Sequence, residues 1–580
     1  MIPTATINIA SHLAVMAGRQ PDIPAIMEPG GRDRSGAIKY NCYTYNHLNR
    51  RSDEIGRGFN NIGIELGSRV AVCLRPGFDF FSVAFALFKI GAVPVLIDPG
   101  IGIRNFGRCL AEAEPMAFVG IPLAHLLRRT FRWARKTLRI NITTGHFGGQ
   151  PLREAQRMGF APHGGTGFQP VLAAHIQLTT SNQGLHTTSP PTQAGSPCHD
   201  EGSNPAAILF TSGSTGPPKG VLYTHANFDA QVRALRDLYH IQPGEIDLAT
   251  FPLFGLFGPA LGMTTVIPQM DFTRPGQVDP RHIIEPIQQL NITNLFGSPA
   301  LLDRVGSSMA ANDLKLPSLR RVISAGAPVP AKVLERFASM LSPGVRIFTP
   351  YGATESLPVC SIGSDEILRE TRQLTDSGKG ICVGRPAGNM RVLVIPITDE
   401  PITLWSDDLP LAANQIGEII VQGPVVTSAY FNRPTATQLA KITGPSGGFF
   451  HRMGDVGYLD DVGRLWFCGR KSQRVKTPAG DLFSIPFEAV FNTHPAVARS
   501  ALVGVNRDGV IEPVICIERA PKSQISTLKL LAELHELSQK HDHTSTIKHF
   551  LFHPRFPVDI RHNAKIGREK LTIWAARKLP

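Results

Sequence analysis

The sequence predicts an α/β protein with a large N-terminal part and a smaller, mixed C-terminal part. The chain has 580 residues, well beyond the roughly 250–300 residues at which a single hydrophobic core stops growing. Between Asn204 and about Cys468, short apolar runs alternate with helical patterns, which is typical of α/β folds. After a boundary near residues 469–472, about a hundred residues of mixed pattern remain, which is a normal domain size.

We place the large domain at residues 1–470 and the small domain at residues 471–580. Within the large domain, residues 162–199 contain no Asp, Glu, Lys or Arg, and Gly, Pro, Ser, Thr, Gln and His dominate. A segment so poor in large apolar side chains cannot bury enough surface to offset the entropy of ordering it. The sequence therefore predicts a flexible low-complexity insert over residues 162–200.

Composition indicates a soluble globular protein of the cytoplasm. Hydrophobic residues make up 42% and charged residues 18% of the chain, which excludes global disorder. The eight cysteines are scattered without a Cys-x-x-Cys pair, which argues against zinc and against a disulfide framework. The N-terminus lacks the pattern of a signal peptide. The most apolar stretch, residues 80–97, is interrupted by Lys89, Gly91 and Pro94 and is predicted to be a buried helix running into a strand.

The net charge of +13 favours anionic partners such as nucleotides, acidic lipid surfaces or nucleic acid. Residues 126–140 place six basic residues among apolar and aromatic ones, a pattern that an amphipathic basic helix would show. Such a helix can dock on a membrane surface or a partner, or it can be a solvated basic face above the core, which is the simpler interpretation. Nucleic acid fits least, because no recognised binding motif accompanies the charge.

The most informative segment is a loop at residues 211–220, Thr-Ser-Gly-Ser-Thr-Gly-Pro-Pro-Lys-Gly, which follows an apolar strand pattern at residues 206–210. The hydroxyl groups and the charge of Lys219 can bind the oxygens of a polyphosphate. The glycines let the backbone approach such a ligand closely. A Walker loop would need Ser or Thr directly after the lysine, where Gly220 stands. The alternative is an exposed Gly/Ser turn, but such turns rarely join a buried strand to Pro-Pro-Lys-Gly.

A second motif, Thr-Pro-Tyr-Gly-Ala-Thr-Glu at residues 349–355, follows a strand pattern at residues 345–348. In α/β sheets ligands bind at the carboxyl ends of strands. There Glu355 could hold Mg²⁺, Thr354 a phosphate oxygen, and Tyr351 a nucleotide base. On its own, a capped turn explains this motif better.

A third motif covers residues 451–459 and 464–470, with Asp455 between two glycines and Arg470 at the end. A carboxylate can accept hydrogen bonds from both hydroxyls of a ribose, and arginine can pair with ribose or phosphate oxygens. The alternative is a hairpin turn with a solvated Asp455.

A fourth motif, residues 556–568, contains Lys565. Attack of a carboxylate on an α-phosphate builds negative charge, which a lysine carried in by a mobile domain would stabilise. Without the other motifs, Lys565 would be a solvent-facing side chain.

The four motifs occur in the order and approximate separation of the adenylate-forming superfamily of AMP-binding enzymes, which includes acyl-CoA synthetases, luciferases and nonribosomal-peptide adenylation domains. The chain resembles this family over most of its length, residues 162–199 excepted. The resemblance implies a large N-terminal adenylate-forming domain of α/β subdomains and a small mobile α+β C-terminal lid domain. It also implies ATP and Mg²⁺ as cofactors.

The resemblance further implies roles for individual residues. The phosphates of ATP would be bound by Thr211, Ser212, Gly213, Ser214, Thr215, Gly216 and Lys219. The adenine would lie against Gly326, Ala327, Pro328, Tyr351 and Gly352, and the ribose against Asp455 and Arg470. Catalysis would depend on Lys565, Glu355 and Thr354, with Glu355 and Thr211 near the metal.

Three positions differ from the family pattern. Acyl-CoA synthetases usually carry a histidine where Gly255 stands, the hinge position commonly held by Asp is Ser472, and the glycine expected before the catalytic lysine is Ala564. These differences weigh against domain rotation and thioester formation with CoA.

Residues 251–262, 451–470 and 556–574 resemble one branch of the family, the β-lactone synthetases of bacterial head-to-head olefin biosynthesis. That branch implies adenylation of a long-chain 2-alkyl-3-hydroxy acid, whose own 3-hydroxyl then closes a β-lactone and releases AMP. An internal nucleophile has a large effective molarity, so a thiol site is dispensable. Residues 251–262 and 296–299 are predicted to line the acyl pocket, although packing in the core explains their pattern almost as well. Partners would be olefin-pathway enzymes or a membrane surface touched by residues 126–140.

Two alternatives stay open at this point. A long-chain fatty acyl-CoA ligase shares the first half-reaction and differs in its use of an external thiol. An inactive nucleotide-binding scaffold in a lipid-synthesis assembly is disfavoured, because a scaffold has no physical need for Lys219, Glu355, Asp455 and Lys565 together.

Overall fold

The computed structural model describes residues 8–145, 149–158, 201–211, 216–309, 313–445, 448–521, 523–558 and 566–579. The predicted insert at residues 162–200 lies outside these ranges. Strands and helices alternate along most of the described chain, as the apolar periodicity predicts.

The strands, in chain order, are β1 (Pro24–Arg32), β2 (Ile38–Thr44), β3 (Arg69–Cys73), β4 (Val93–Leu96), β5 (Ala117–Gly120), β6 (Ile140–Thr143), β7 (Gln150–Pro151), β8 (Pro205–Phe210), β9 (Gly220–Thr224), β10 (Ile246–Ala249), β11 (Thr264–Val266), β12 (Asn294–Gly297), β13 (Arg321–Ser324), β14 (Arg346–Ala353), β15 (Ser356–Gly363), β16 (Ile381–Pro386), β17 (Arg391–Ile395), β18 (Gly417–Gln422), β19 (Ala429–Tyr430), β20 (Lys441–Thr443), β21 (Phe449–Leu459), β22 (Leu465–Arg470), β23 (Val475–Thr477), β24 (Gly480–Leu482), β25 (Val497–Arg507), β26 (Val510–Arg519) and β27 (His549–Phe552).

The α-helices, in chain order, are α1 (Ile9–Arg19), α2 (Tyr45–Asn61), α3 (Phe78–Lys89), α4 (Ile103–Ala113), α5 (Pro122–Thr130), α6 (Leu152–Met158), α7 (His225–Tyr239), α8 (Pro252–Gly255), α9 (Phe257–Leu261), α10 (Arg281–Leu290), α11 (Pro299–Met309), α12 (Ala331–Ala338), α13 (Ser364–Glu366), α14 (Arg372–Asp376), α15 (Pro434–Ala440), α16 (Ser484–Asn492), α17 (Thr527–Gln539) and α18 (Arg568–Lys578).

Two large sheets organise the first four-fifths of the chain. Within the described ranges, one has 14 strands in the order β17-β18-β21-β22-β16-β15-β14-β13-β12-β10-β11-β1-β2, with β20 paired to β21, and the other has eight in the order β19-β9-β8-β4-β3-β5-β6-β7. Strands β11, β10, β12, β13 and β14 are parallel neighbours. The predicted α/β class is therefore confirmed, and the carboxyl ends of these strands share one edge.

The most apolar stretch forms the predicted buried helix and strand. Helix α3 is buried from Phe80 to Lys89, and β4 follows at Val93. The Lys89 ammonium is buried but lies 2.7 Å from an oxygen of Asp53, because a buried charge needs a partner. Among the described residues, no helix is both long and apolar enough to cross a membrane.

The last described part has cores of its own. Strands β25, β26 and β27 form a three-stranded sheet, and their apolar side chains pack with α16, α17 and α18 in two clusters. This region is the small α+β part that the sequence predicts. The boundary at residue 470, which coincides with the end of β22, stays a prediction.

The basic segment at residues 126–140 is helical only at its start. Helix α5 ends at Thr130, turns follow, and β6 begins at Ile140. Trp133 is almost buried, with its ring centre 5.0 Å from that of Phe106. A continuous amphipathic helix is therefore the wrong description, because the anchoring of Trp133 in the core turns the chain.

Candidate active site

The phosphate loop joins two antiparallel strands, β8 and β9, whose facing ends are Phe210 and Gly220. The neck of the loop is closed by two hydrogen bonds. Thr211 N–H donates to the Lys219 carbonyl at 3.0 Å, and Lys219 N–H donates to Thr211 Oγ1 at 3.1 Å. Gly216 has φ +149°, a conformation that favours glycine. The predicted ligands Ser212, Gly213, Ser214 and Thr215 lie outside the described residues.

Lys219 and Glu355, predicted from separate motifs, are joined by Tyr430. The Lys219 ammonium lies 4.7 Å from the centre of the Tyr430 ring, a cation–π distance. The Tyr430 hydroxyl donates to Glu355 Oε1 at 2.5 Å. Tyr430 reaches this place because β19 pairs with β9, opposite Val221. Sequence reasoning missed Tyr430, since no motif surrounds it.

The turn that carries Thr354 and Glu355 is held from behind by other strands. Tyr223 of β9 donates its hydroxyl to the Thr354 carbonyl at 2.5 Å. The backbone N–H and the hydroxyl of Thr427 both donate to the Glu355 carbonyl at 3.0 Å. These bonds fix the backbone of the turn between β14 and β15, so the side chains of Thr354 and Glu355 start from a rigid base.

The start of α7 also supports the turn that carries Thr354 and Glu355. Thr224 and Asn227 form a reciprocal capping box at the start of α7, which satisfies two backbone donors of the first turn. The Asn227 amide also donates to the carbonyls of Pro424 and Val426, at 3.1 and 3.2 Å. This helix start thus holds the chain that leads to Thr427 and Tyr430.

Asp455 lies between Tyr351 and Arg470, two other residues predicted to bind the nucleotide. Tyr351 donates its hydroxyl to Asp455 Oδ2 at 2.7 Å, and Arg470 Nη1 is 3.0 Å from Asp455 Oδ1. Register explains the second contact, since Asp455 faces Arg470 across β21 and β22. Asp455 is only 3% exposed, so the alternative of a solvated hairpin carboxylate is wrong.

One oxygen of Asp455 has no hydrogen-bond donor. Within the described structure, the buried Oδ1 accepts no hydrogen bond, although Arg470 Nη1 lies 3.0 Å away as its ion-pair partner. A buried acceptor without a donor is costly unless a ligand supplies one. Burial raises the pKa of Asp455, and Arg470 and the Tyr351 hydroxyl oppose that rise. Donation by ligand hydroxyls would favour the ionised form further.

The predicted adenine residues lie at the shared sheet edge. Gly326, Ala327 and Pro328 follow the end of β13, the strand next to β14, and Gly326 has φ +99°. Gly352 is tightly enclosed, since a Cβ there would lie 2.6 Å from the Ser356 carbonyl oxygen. Only glycine therefore fits at position 352, directly after Tyr351.

A lysine that sequence reasoning did not single out also belongs to this site. Lys441 of β20 faces His451 of β21, and its ammonium donates to the Thr427 carbonyl and lies 5.0 Å from the Phe449 ring centre. Burial lowers the pKa of Lys441 to about 7, an effect that the charge of Glu355 partly offsets. Burial, together with Lys441, holds the pKa of His451 well below its usual range.

Lys441 should make stability depend on pH. Above pH 7 the folded protein loses the Lys441 proton, whereas the unfolded chain keeps it to about pH 10.4. Since the unfolded state then binds more protons, the free energy of unfolding should rise with pH between 7 and 10 by up to about 1.4 kcal/mol per unit. Denaturant titrations of wild type and Lys441→Met should diverge over this range and run parallel below pH 7. Parallel curves throughout would contradict the burial of a titrating lysine.

Gly255 is fixed by packing. A Cβ at this position of α8 would lie 3.2 Å from Ala249 Cβ and 3.3 Å from Phe81 Cζ. A histidine side chain, which acyl-CoA synthetases usually carry there, would need the surrounding core to repack. Gly255, which replaces the usual histidine, is therefore part of a closely packed core.

A narrow apolar cavity of about 50 Å³ lies beside α8 and α9. Its walls include Phe254, Phe257, Leu261 and Phe296, which fall in the segments predicted to line an acyl pocket. The rings of Phe254 and Phe296 stack with centres 4.4 Å apart. The free space holds only a few water molecules, so a long alkyl chain would enter only if some of the lining side chains move.

The residues around the predicted hinge position, Ser472, are anchored to the large N-terminal part. Ser472 lies in a short turn, and its neighbour Lys471 is 2.9 Å from Glu418 Oε1 and donates to the Thr398 carbonyl at 2.8 Å. Lys565 lies outside the described residues. Just beyond it, Arg568 donates to Gln473 Oε1 at 3.2 Å, so the start of α18 is tied to the turn that holds Ser472.

Comparison with known proteins agrees with this geometry. Residues 13–431 match the family model described as AMP-binding enzyme. The chain belongs to the AMP-binding enzyme family. The match spans more than half of the chain and includes the phosphate loop and the turn that carries Thr354 and Glu355. The family predicted from the four motifs is thereby confirmed.

Two curated relatives of this AMP-binding enzyme are alike over nearly their whole length. The olefin beta-lactone synthetase of Xanthomonas campestris pv. campestris is 46% identical, covering 99% of this chain and 98% of the relative. The protein of the same description from Stenotrophomonas maltophilia is also 46% identical, with the same coverage. Among solved structures, an amide bond synthetase from Marinactinospora thermotolerans matches with a TM-score of 0.74 at 21% identity, covering 98% of this chain and 99% of its own. The last match confirms the predicted fold.

Proposed function

We propose that this AMP-binding enzyme activates a long-chain 2-alkyl-3-hydroxy acid with ATP and closes it to a β-lactone. The observation that carries the proposal is the 46% identity to two olefin beta-lactone synthetases over 99% of the chain. The four motifs and their contacts support the first half-reaction, and the packed Gly255 supports the second.

In the first half-reaction the substrate carboxylate attacks the α-phosphate, and pyrophosphate leaves. Asp455 accepts hydrogen bonds from the ribose hydroxyls through Oδ1, which accepts none from the described part of the protein, with Arg470 beside it. Lys219 and the phosphate loop neutralise the triphosphate. Lys565 stabilises the charge that develops on phosphorus.

The residues present fit Mg²⁺ that arrives with ATP rather than a resident metal. In the described ranges no group of three or more His, Cys, Asp or Glu side chains could hold a metal ion. Mg²⁺ typically uses one or two carboxylates, waters and substrate phosphates. Glu355 would supply the carboxylate, Thr354 and Thr211 would supply hydroxyls, and bound Mg²⁺ would offset negative charge on the phosphates.

In the second half-reaction the substrate's own 3-hydroxyl oxygen attacks the activated carbonyl carbon. The bond between that carbon and the phosphate oxygen breaks, AMP leaves, and the hydroxyl proton is released. The nucleophile and the carbonyl belong to one molecule, so the effective molarity replaces a thiol site. A histidine at position 255, as acyl-CoA synthetases usually carry, would need Ala249 and Phe81 to shift.

An assay without CoA tests this function. Purified protein with ATP, Mg²⁺ and a 2-alkyl-3-hydroxy acid should form β-lactone, AMP and pyrophosphate in equal amounts. A thioester that forms only when CoA is added, with no lactone in its absence, would instead identify an acyl-CoA ligase.

Glu355→Gln should weaken the use of Mg²⁺. The substitution keeps the size of the side chain and removes the charge, so we expect the Mg²⁺ concentration for half-maximal pyrophosphate release to rise about tenfold or more. The matched control is Tyr430→Phe, which removes only the hydrogen bond to Glu355 Oε1 and should change this concentration far less. An unchanged Mg²⁺ dependence in Glu355→Gln would remove Glu355 from the metal site.

We also propose that residues 471–580 act as a lid over the site formed by residues 1–470. The separate apolar clusters of the C-terminal sheet support this division. Leu126 and Phe131 are each 51% exposed beside the basic side chains of residues 126–140, which supports a contact of this segment with a membrane surface or a pathway enzyme.

A further inference from the structure

Two polar side chains interrupt the wall of the apolar cavity. Asp247 of β10 and Asn294 of β12 both line it and are 5% and 3% exposed. They face each other in register on neighbouring parallel strands, and the Asn294 amide donates to Asp247 Oδ1. The remaining lining residues are apolar.

This pair is not fully satisfied by the protein. Asn294 Oδ1 is buried and has no hydrogen-bond partner within the described structure. Arg321, the nearest strong cation, is already engaged by both oxygens of Glu245. Burial raises the pKa of Asp247 to about 7. An apolar cavity wall thus carries polar atoms that an alkyl chain cannot match.

The pair lies at the end of the cavity away from the nucleotide motifs. Asn294 is the first residue of β12, whereas Phe296, nearer the carboxyl end, lines the same cavity. At the other end the lining includes Pro350 and Leu357, which flank the turn of Tyr351–Glu355. The cavity therefore runs from the site of adenylation towards Asp247 and Asn294.

We propose that Asp247 and Asn294 form a polar floor that limits the length of the alkyl arm accepted by this cavity. The inference rests on the proposed function and adds a determinant of its substrate range. Each methylene buried against apolar walls strengthens binding about fourfold. A methylene pressed against the pair adds no binding energy and blocks the hydrogen bonding of the pair. Each added methylene therefore strengthens binding until the arm reaches the floor and weakens it beyond that length.

The test compares kcat/KM for pyrophosphate release over acids of increasing arm length. One series varies the 2-alkyl arm, one varies the arm at carbon 3, and a third uses straight-chain fatty acids. In wild type, kcat/KM should rise with length and then fall in the series whose arm enters the cavity. In Asp247→Ala/Asn294→Ala, which removes the polar atoms and frees the space that they fill, the fall should begin about two methylenes later, with about a tenfold gain for the longest arms.

Two variants serve as controls. Met263→Leu changes the same cavity wall without changing its polarity and should keep the wild-type length limit. Asp247→Asn keeps the polar floor and its shape and should keep that limit as well. Thermal unfolding of each variant shows whether it is folded, and the single variant Asn294→Ala, which should also move the length limit to longer arms, tests the floor if the double variant does not fold.

Three results would contradict either the polar floor or the proposed function. A length limit identical in wild type and the double variant overturns the inference. Loss of lactone formation in Asp247→Asn, with pyrophosphate release intact, also overturns it, because the carboxyl group would then take part in ring closure. Wild type that releases pyrophosphate only with straight-chain acids contradicts the proposed function, while the third series still tests the floor.

Discussion

Asp455→Asn should lower kcat/KM for acyl-adenylate formation by roughly 10²- to 10³-fold. The substitution removes a buried charge that faces Arg470 at 3.0 Å and accepts from Tyr351 at 2.7 Å. Hydrogen bonds to a charged acceptor contribute about 1.5–3 kcal/mol each, so the loss of the carboxylate as acceptor for the ribose hydroxyls accounts for an effect of this size. An amide also offers a donor where the ribose hydroxyls need an acceptor. Pyrophosphate release at varied ATP concentration measures the effect.

Tyr351→Phe is the matched control, since it removes one neutral donor and leaves the Asp455–Arg470 pair intact. We expect a loss of about tenfold, mainly in the KM for ATP, in line with a single hydrogen bond to a charged group. Activity of Asp455→Asn within threefold of wild type would show that Asp455 does not bind the nucleotide.

Lys565→Ala should reduce adenylation by about 10²- to 10³-fold, the effect of removing one group that stabilises charge in the transition state. Binding of ATP, measured by calorimetry, should change little, because other residues hold the ground state. Ring closure from a chemically prepared acyl-adenylate should be slowed less, since phosphorus is not attacked in that step and only the charge of the departing AMP develops on a phosphate oxygen. The role of Lys565 stems from the sequence resemblance alone.

The control for Lys565 is Lys570→Ala, which removes an exposed lysine five residues later on α18. It should retain wild-type turnover. Equal losses in both variants would indicate a general electrostatic effect of the C-terminal region, and unchanged turnover in Lys565→Ala would refute its assigned role.

Local patterns predicted much of this molecule. The apolar run at residues 80–97 gave helix α3 and strand β4, because a helix of that composition is buried on all sides. Four short motifs predicted the family, and three of them meet in the described structure, through Tyr430 and through the hydrogen bond from Tyr351 to Asp455.

The pairing of strands that are distant in the sequence could not be predicted from local patterns. Tyr430 and Lys441 join the site only because β19 pairs with β9 and β20 pairs with β21, and no local pattern determines those pairings. The floor of the cavity depends likewise on the register of β10 and β12. The basic segment at residues 126–140 resembled a helix on charge pattern, whereas the burial of Trp133 decided its course.

The central claim is that the acyl-adenylate is discharged by the substrate's own 3-hydroxyl. A 2-alkyl-3-hydroxy acid with both carboxylate oxygens replaced by ¹⁸O tests it directly by mass spectrometry of the products. The account predicts one ¹⁸O in AMP and one in the lactone, as its carbonyl oxygen, while the ring oxygen comes from the unlabelled hydroxyl. Unlabelled AMP with both ¹⁸O atoms retained in the lactone would mean that ATP activates the hydroxyl instead, and would contradict the account.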